Sequence, residues 1–340
     1  MYLPLFRQHS LKLFAVCSAS ITLASPAAAS PLTAQQIMSQ FNAVIFNNAS
    51  SNSEIEGRVF VGGDATGGQY GFKPQTMQPS QYAGLTVQGN ATNVRAPVSL
   101  AVGGSVQNSD TNGGAMVLGN AKNLSYGSPS YIAGTLSGGN HNGPRVSNLS
   151  SNTTLSGYNT AMGSTDFRSV MSATSDAIWG MNANSTATRD GGRLFLNATP
   201  VNGVAIFNLG NALTGVGEIF FNLGNASTVY INSSFASGTL SANFPGSQPG
   251  SVAPKVLWNF HEASDINFGT AWLGSILAVD ATVRNGTPIE GTLVAENYIG
   301  SSEIHSQTFT GTVPVPEPAG AAMFLAGLLG LGAIARRHRK

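Results

Sequence analysis

A glycine returns at positions 89, 104, 119 and 134, a constant step of 15 residues, and this step constrains the fold more than any other feature of the chain. Each glycine sits in one local pattern: apolar, any residue, glycine, polar, then small or apolar. The copies read Val61-Gly62-Gly63-Asp64-Ala65, Val87-Gln88-Gly89-Asn90-Ala91, Val102-Gly103-Gly104-Ser105-Val106, Val117-Leu118-Gly119-Asn120-Ala121 and Ile132-Ala133-Gly134-Thr135-Leu136. A strand this short cannot bury an apolar face by itself, whereas stacked units share one continuous apolar column. Glycine accepts positive φ at the corners, with asparagine next in tolerance, and asparagines at repeated positions predict side-chain ladders. The expected fold class is mainly β, a parallel β-solenoid (β-helix). An antiparallel sandwich also uses many short strands, but does not require a constant step.

A second set of repeats supports the same reading. Phe207-Asn208-Leu209-Gly210-Asn211-Ala212 recurs 14 residues on as Phe221-Asn222-Leu223-Gly224-Asn225-Ala226, and Gly274-Ser275-Ile276-Leu277-Ala278 recurs 17 residues on as Gly291-Thr292-Leu293-Val294-Ala295. One stretch breaks the β pattern. From Ser164 to Met181, Phe167, Val170, Met171, Ala177, Ile178 and Met181 share a face at helical spacing. Ser164 or Thr165 is the expected N-cap, with Asp166 in the first turn. This predicts one amphipathic helix packed on the solenoid's flank. A shorter helix is predicted over Thr33–Gln40, leading into a first strand at Phe41–Phe46.

Both ends carry sorting features. Arg7 and Lys12 precede or begin an apolar stretch, and Ala27 and Ala29 form a cleavage site before Ser30, so residues 1–29 read as a secretory signal peptide. Cys17 lies inside that stretch and is the only cysteine, which leaves an exported body without disulfides, thiol catalysis or cysteine metal ligands. At the other end a proline-rich linker (312–318) precedes an uncharged apolar span (319–335) and a basic stop (336–340). The span covers about 25 Å as a helix, enough for a thin hydrocarbon core. The basic stop places everything before it on the far side of the membrane. This tail is similar to the PEP-CTERM sorting signal of Gram-negative bacteria, carried by Pro316, Glu317, Pro318, Arg336 and Arg337. The resemblance implies an exosortase as processing partner. It also implies a chain at the cell envelope, cell surface or extracellular matrix, held transiently in the inner membrane by a C-terminal transmembrane helix. Once both ends are set aside, acidic residues slightly outnumber basic ones and no basic run remains, which argues against nucleic acid as a partner.

The stretch Phe41-Asn42-Ala43-Val44-Ile45-Phe46, followed by Glu56-Gly57-Arg58-Val59-Phe60-Val61-Gly62-Gly63-Asp64-Ala65, resembles the opening of the choice-of-anchor A family. Leu257-Trp258-Asn259-Phe260, Trp272-Leu273-Gly274-Ser275-Ile276-Leu277-Ala278 and Gly291 to Ala295 with Glu303-Ile304-His305 extend the likeness over a domain at 30–311. One departure is Val279, where the family often has proline. The resemblance implies an adhesive extracellular domain, with exopolysaccharide or a neighbouring cell surface as partner. Leu273 to Ala278 are also similar to ice-binding β-solenoids that carry a flanking helix.

Catalytic chemistry finds little support. His261-Glu262 with Asp265 is the densest polar cluster; capping of the loop after Trp258-Asn259-Phe260 is the expectation, acid–base work or a metal the alternative. Glu303 and His305 alternate on one face of a short strand; a structural hydrogen bond is the expectation, weak metal chelation the alternative. No Gly-x-Ser-x-Gly elbow, His-Glu-x-x-His helix or phosphate loop occurs. Gly62-Gly63-Asp64 does not iterate as a calcium nonapeptide would. Lys73, Lys122 and Lys255 have no carboxylate cluster beside them in sequence. Tyr70, Tyr82, Tyr126 and Tyr131, read as loop residues, are the candidate glycan contacts by ring stacking, with Phe72 and Tyr158 nearby. The expectation is a non-enzymatic adhesive or structural protein with no cofactor. A polysaccharide-degrading enzyme on a β-helix scaffold and an ice-binding protein are the rivals. Thr86, Thr92, Thr111 and Thr135 do not keep one register, which ranks the ice reading last.

Overall fold

The computed structural model describes residues 30–314. The signal peptide with its cleavage site up to Ala29, the Pro316-Glu317-Pro318 motif, the apolar span and the basic stop lie outside the described residues. Among the described residues no helix is long and apolar enough to cross a membrane.

Short strands wind into coils with three sides. On the first side the strands stack in the order Val204–Asn208, Thr228–Asn232, Val256–Asn259, the start of Ser275–Asn285, the start of Leu293–Gly300, Ala43–Ile45, Val59–Val61, Leu85–Val87, Leu100–Val102, Ala115–Val117 and Tyr131–Ile132. On the second side, Ser237–Leu240, Asp265–Phe268 and the ends of the same two long strands lead through Ala49–Ser51, Ala65–Thr66, Ala91–Thr92, Val106–Thr111 and Ala121–Tyr126 to Leu136–Ser137. The third side runs through Trp272–Leu273, Ile289–Glu290, Ile304–His305, Glu54–Ile55 and Gln69–Tyr70. All of these pairings are parallel. The one antiparallel pair of strands among the described residues, Thr186–Asp190 with Arg193–Asn197, sits near one end of the stack. The facing antiparallel layers of a sandwich are not found among them.

The stacking order is not the chain order. The chain enters at the middle of the stack with Ala43–Ile45 and winds outward to about residue 145. It then crosses to the other end and winds back until Leu293–Gly300 pairs with Ala43–Ile45 and Ala49–Ser51. Asn42 closes this seam: its Nδ2 donates to the Gly291 and His305 carbonyls, and its Oδ1 accepts from Gly57 N–H. Thr292 Oγ1 donates across the seam to the Met38 and Phe41 carbonyls.

The glycine column stacks as the sequence predicts, for a different physical reason. Gly89, Gly104, Gly119 and Gly134 each donate N–H to the carbonyl of the glycine one coil earlier, at 2.8–3.0 Å, and none of them has positive φ. They are glycines because a Cβ would collide with the coil below: at Gly119 it would lie 2.6 Å from the Gly104 carbonyl oxygen. The left-handed corner is a separate column of Gly67, Asn93, Asn108, Asn123 and Gly138, with φ between 49° and 69°, where asparagine tolerates the conformation. The residues after the glycines form the expected polar ladder. Side-chain oxygens of Asn48, Asp64, Asn90, Ser105 and Asn120 accept the backbone N–H of Asp64, Asn90, Ser105, Asn120 and Thr135 in turn. The repeat of Phe207 to Ala212 at Phe221 to Ala226 is not one coil on another. Val204–Asn208 pairs with Thr228–Asn232, while Glu218–Asn222 pairs with Arg193–Asn197, so the two copies occupy different sides.

The first side is buried on both faces. Ile45, Val61, Val87, Val102 and Val117 point into the coil core, and Val44, Phe60, Ala101 and Met116 point outward under helices. Burying each such side chain stabilises the fold by about 1.5–3 kcal/mol for the larger ones. Helix α1 (Ala34–Gln40) starts in a capping box of Thr33 with Gln36. Helix α2 (Thr153–Met162) was not expected from sequence, so the flank carries more than one helix. Helix α3 (Phe167–Trp179) is the expected amphipathic helix, with Asp166 itself as N-cap, accepting from Ser169 N–H. Its buried face takes Thr174 and Ser175 rather than Ala177. The reason is an asparagine ladder beneath it: Asn259 Nδ2 donates to Asn232 Oδ1, and Asn232 Nδ2 to Asn208 Oδ1, each at 2.9 Å. Asn259 also bonds both the hydroxyl and the carbonyl of Ser175, and Asn232 bonds the Ile178 carbonyl.

Candidate functional site

The side chains of the second side alternate, one set filling the core and the other facing outward. The outward set forms two rows. The first runs Ser237, Asp265, Thr282, Asn297, Asn48, Asp64, Asn90, Ser105, Asn120, Thr135, and the second Thr239, Asn267, Arg284, Ile299, Ser50, Thr66, Thr92, Gln107, Lys122, Ser137, following the strand registers. All are exposed or half-buried. The rows repeat at the spacing of parallel strands, about 4.8 Å. Hydroxyls and amides dominate, and the wall continues without a break across the seam. A shallow depression there is lined by Ser50, Thr66, Thr282, Arg284, Asn297 and Ile299. Ile299, 47% exposed, is the one large apolar side chain in the rows. The Asp265–Arg284 ion pair lies beside it.

The third side carries the charged cluster. His305 stands between two carboxylates, with Nδ1 2.6 Å from Glu290 Oε1 and Nε2 2.6 Å from Glu303 Oε2. Glu56, only 5% exposed, lies 3.9 Å from Nε2 through Oε1. Its Oε2 accepts from the N–H and hydroxyl of Ser306, and Lys73 Nζ lies 2.5 Å from Oε1. Burial alone would lower the His305 pKa; its hydrogen bonds to the Glu303 and Glu290 carboxylates and the charges of Glu290 and Glu56 overcome it and raise the value above the usual histidine range. Burial alone would raise Glu56; Lys73, Ser306 and His305 overcome it and hold that carboxyl below its usual range. The Lys73 ammonium is pushed up by its hydrogen bond to Glu56. Lys73 lacked a carboxylate neighbour in sequence, and the fold supplies several.

The other expected contacts fall elsewhere. Tyr70 (0% exposed) fills the coil core, as does Tyr126 (2%), and Tyr82 (3%) packs edge-on against Phe41, Phe60 and Phe167 under α3. Tyr131 is half-buried against the cluster around α2. Tyr70 and Tyr126 lie in inward strand positions and Tyr82 lies under the helix, so none of these three rings presents a face to a sugar. Phe72 is the exposed aromatic of that set, at 45%. His261 stacks on Trp179 with ring centroids 4.8 Å apart and bonds Asp176 Oδ1, so it fastens α3 to the solenoid. Asp265 turns to Arg284 instead, so the alternative of an acid–base or metal group built from His261, Glu262 and Asp265 finds no support. Asp64 belongs to the polar ladder. Thr86 is buried beneath the helices, whereas Thr92 and Thr135 lie on the outward wall, so the threonines do not form one array.

The family model described as "Putative Ice-binding-like adhesive domain" matches residues 34–306. The chain belongs to that family. No curated protein and no solved structure matches it. The match begins at α1 and ends one residue after His305, so it spans both halves of the solenoid and the seam that joins them. Membership makes this an adhesive-type domain and fits a surface or extracellular location.

Proposed function

We propose that the chain is an exported, non-enzymatic surface adhesin that holds exopolysaccharide against the outward wall of its second side. The observation that carries the reading is the pair of rows, mostly hydroxyls and amides, that continue across the seam on a rigid parallel sheet, in a chain of an adhesive family. Such a wall offers many weak hydrogen bonds at a fixed spacing. Each contributes about 0.5–1.5 kcal/mol, so affinity comes from their number. In this reading the domain is the anchor-sharing kind suggested by the choice-of-anchor A resemblance. The PEP-CTERM tail delivers it to the envelope for exosortase processing. Val313 N–H bonds Gln35 of α1, so the chain leaves the solenoid on the helix flank and the polar wall faces elsewhere. Immobilised matrix polysaccharide should retain the purified chain and release it unhydrolysed. Loss of retention across a panel of native polysaccharides sinks the adhesive reading, and turnover of any of them sinks the non-enzymatic one. Ice is a weaker ligand for this wall because Lys122 and the Asp265–Arg284 pair interrupt it; thermal hysteresis at micromolar protein would reverse that ranking.

A further inference from the structure

The charged cluster lies where the two ends of the chain's winding meet. Glu56 belongs to the first coil, Glu303 and His305 to the last, and Glu290 to the coil before it. The backbone joint between Ile304 and Ile55 is a single register pair on this side. One ligand atom from each of Glu56, Glu303 and His305 lies within 4.8 Å of the others. We propose that these residues form a binding site for a borderline divalent transition cation of the zinc type, which clips the last coil to the first.

The arrangement fits that chemistry in detail. His305 Nδ1 is engaged by Glu290, which leaves Nε2 facing Glu303 and Glu56. A carboxylate on the far nitrogen of a ligating histidine fixes the tautomer and the ring. Glu56 is held by the N–H and hydroxyl of Ser306 through one oxygen, so the other is aimed into the site. The Lys73 ammonium, half-exposed on its own side chain, occupies that second oxygen. It swings into solvent when a cation takes its place. One imidazole nitrogen and two carboxylate oxygens make three protein ligands, the number that leaves a tetrahedral zinc-type ion one open position. Calcium takes six to eight oxygens and magnesium an octahedral oxygen shell, so neither suits this set.

The proposal predicts that the full-length chain, stripped with a chelator, binds one Zn2+ per molecule in a calorimetric titration. Ca2+ and Mg2+ at the same concentration should give no heat. Co2+ in place of zinc should give the visible absorption of a low-coordinate histidine–carboxylate site. His305→Gln and Glu303→Gln should abolish saturable binding. Glu290→Gln, which keeps every ligand, should weaken it about 10–100-fold. Zinc should raise the melting temperature of the wild type and leave that of Glu303→Gln unchanged, a readout that also reveals any misfolded variant. No saturable zinc binding, or binding that survives both His305→Gln and Glu303→Gln in folded protein, overturns the proposal.

Discussion

Replacing Gly119 by alanine tests the coil contacts most sharply, because the same chemical change elsewhere should have the opposite sign. At Gly119 an added Cβ would meet the Gly104 carbonyl oxygen at 2.6 Å, its carbon at 2.7 Å and Ser105 Oγ at 2.6 Å. Two of these atoms are backbone, fixed by the Gly119 N–H bond to Gly104 at 2.9 Å, so the coils must part and that bond must lengthen. Overpacking of this kind costs about 1–3 kcal/mol. A domain of this size loses about 2–4 °C of melting temperature per kcal/mol. Thermal unfolding followed by circular dichroism should therefore show a drop of several degrees for Gly119→Ala. Gly157 lies inside α2, where an added Cβ would meet nothing within 4 Å. There alanine removes only glycine's helix penalty and should gain about 0.5–1 kcal/mol. If Gly119→Ala melts at or above the wild type, or if both variants move in the same direction, close coil approach is not what that glycine column is for.

Further outcomes follow from other contacts. Asn232→Ala breaks a buried ladder between Asn208, Asn259 and the Ile178 carbonyl, and should cost about 1–3 kcal/mol for the polar groups left unpaired; denaturant melts should show a lower midpoint. Arg145 donates to the Ile132 and Gly134 carbonyls at one end of the stack, so Arg145→Ala should raise the sedimenting mass through edge-to-edge association. In chelator, the raised His305 pKa makes a signed pH prediction. Its stabilising contribution is fully present below the unfolded histidine value and is lost as pH rises through the folded value, so the melting temperature should fall on the alkaline side of about 6.5 and His305→Gln should flatten that slope.

The regular half of the fold was legible because every coil from Gly89 to Gly134 has the same length and fixes glycine, apolar and polar residues in register. The asparagine corner at 93, 108 and 123 keeps the same step. It was hidden because asparagine is abundant and serves ladders as well as corners. The returning half was harder. Its asparagine ladder is spaced 24 and then 27 residues apart, and its repeated phenylalanine motif marks two sides of the winding rather than two coils. The seam could not be read, and of its charged cluster only the Glu303–His305 pair was visible, since Glu56 and Ser306 meet across 250 residues. The tyrosines misled because glycine, serine and proline around them suggest loops, while coil geometry turns Tyr70 and Tyr126 inward.

The outward wall is best tested by retention of the chain on matrix polysaccharide after its hydrogen-bonding groups are removed. Thr66→Ala combined with Gln107→Ala, both exposed in one row, should cut affinity roughly two- to tenfold for each hydrogen bond lost. Asn159→Ala with Ser169→Ala, exposed on the helix flank, should leave retention unchanged. Equal retention by both variants, or a loss confined to the helix-flank pair, contradicts the assignment of the adhesive surface.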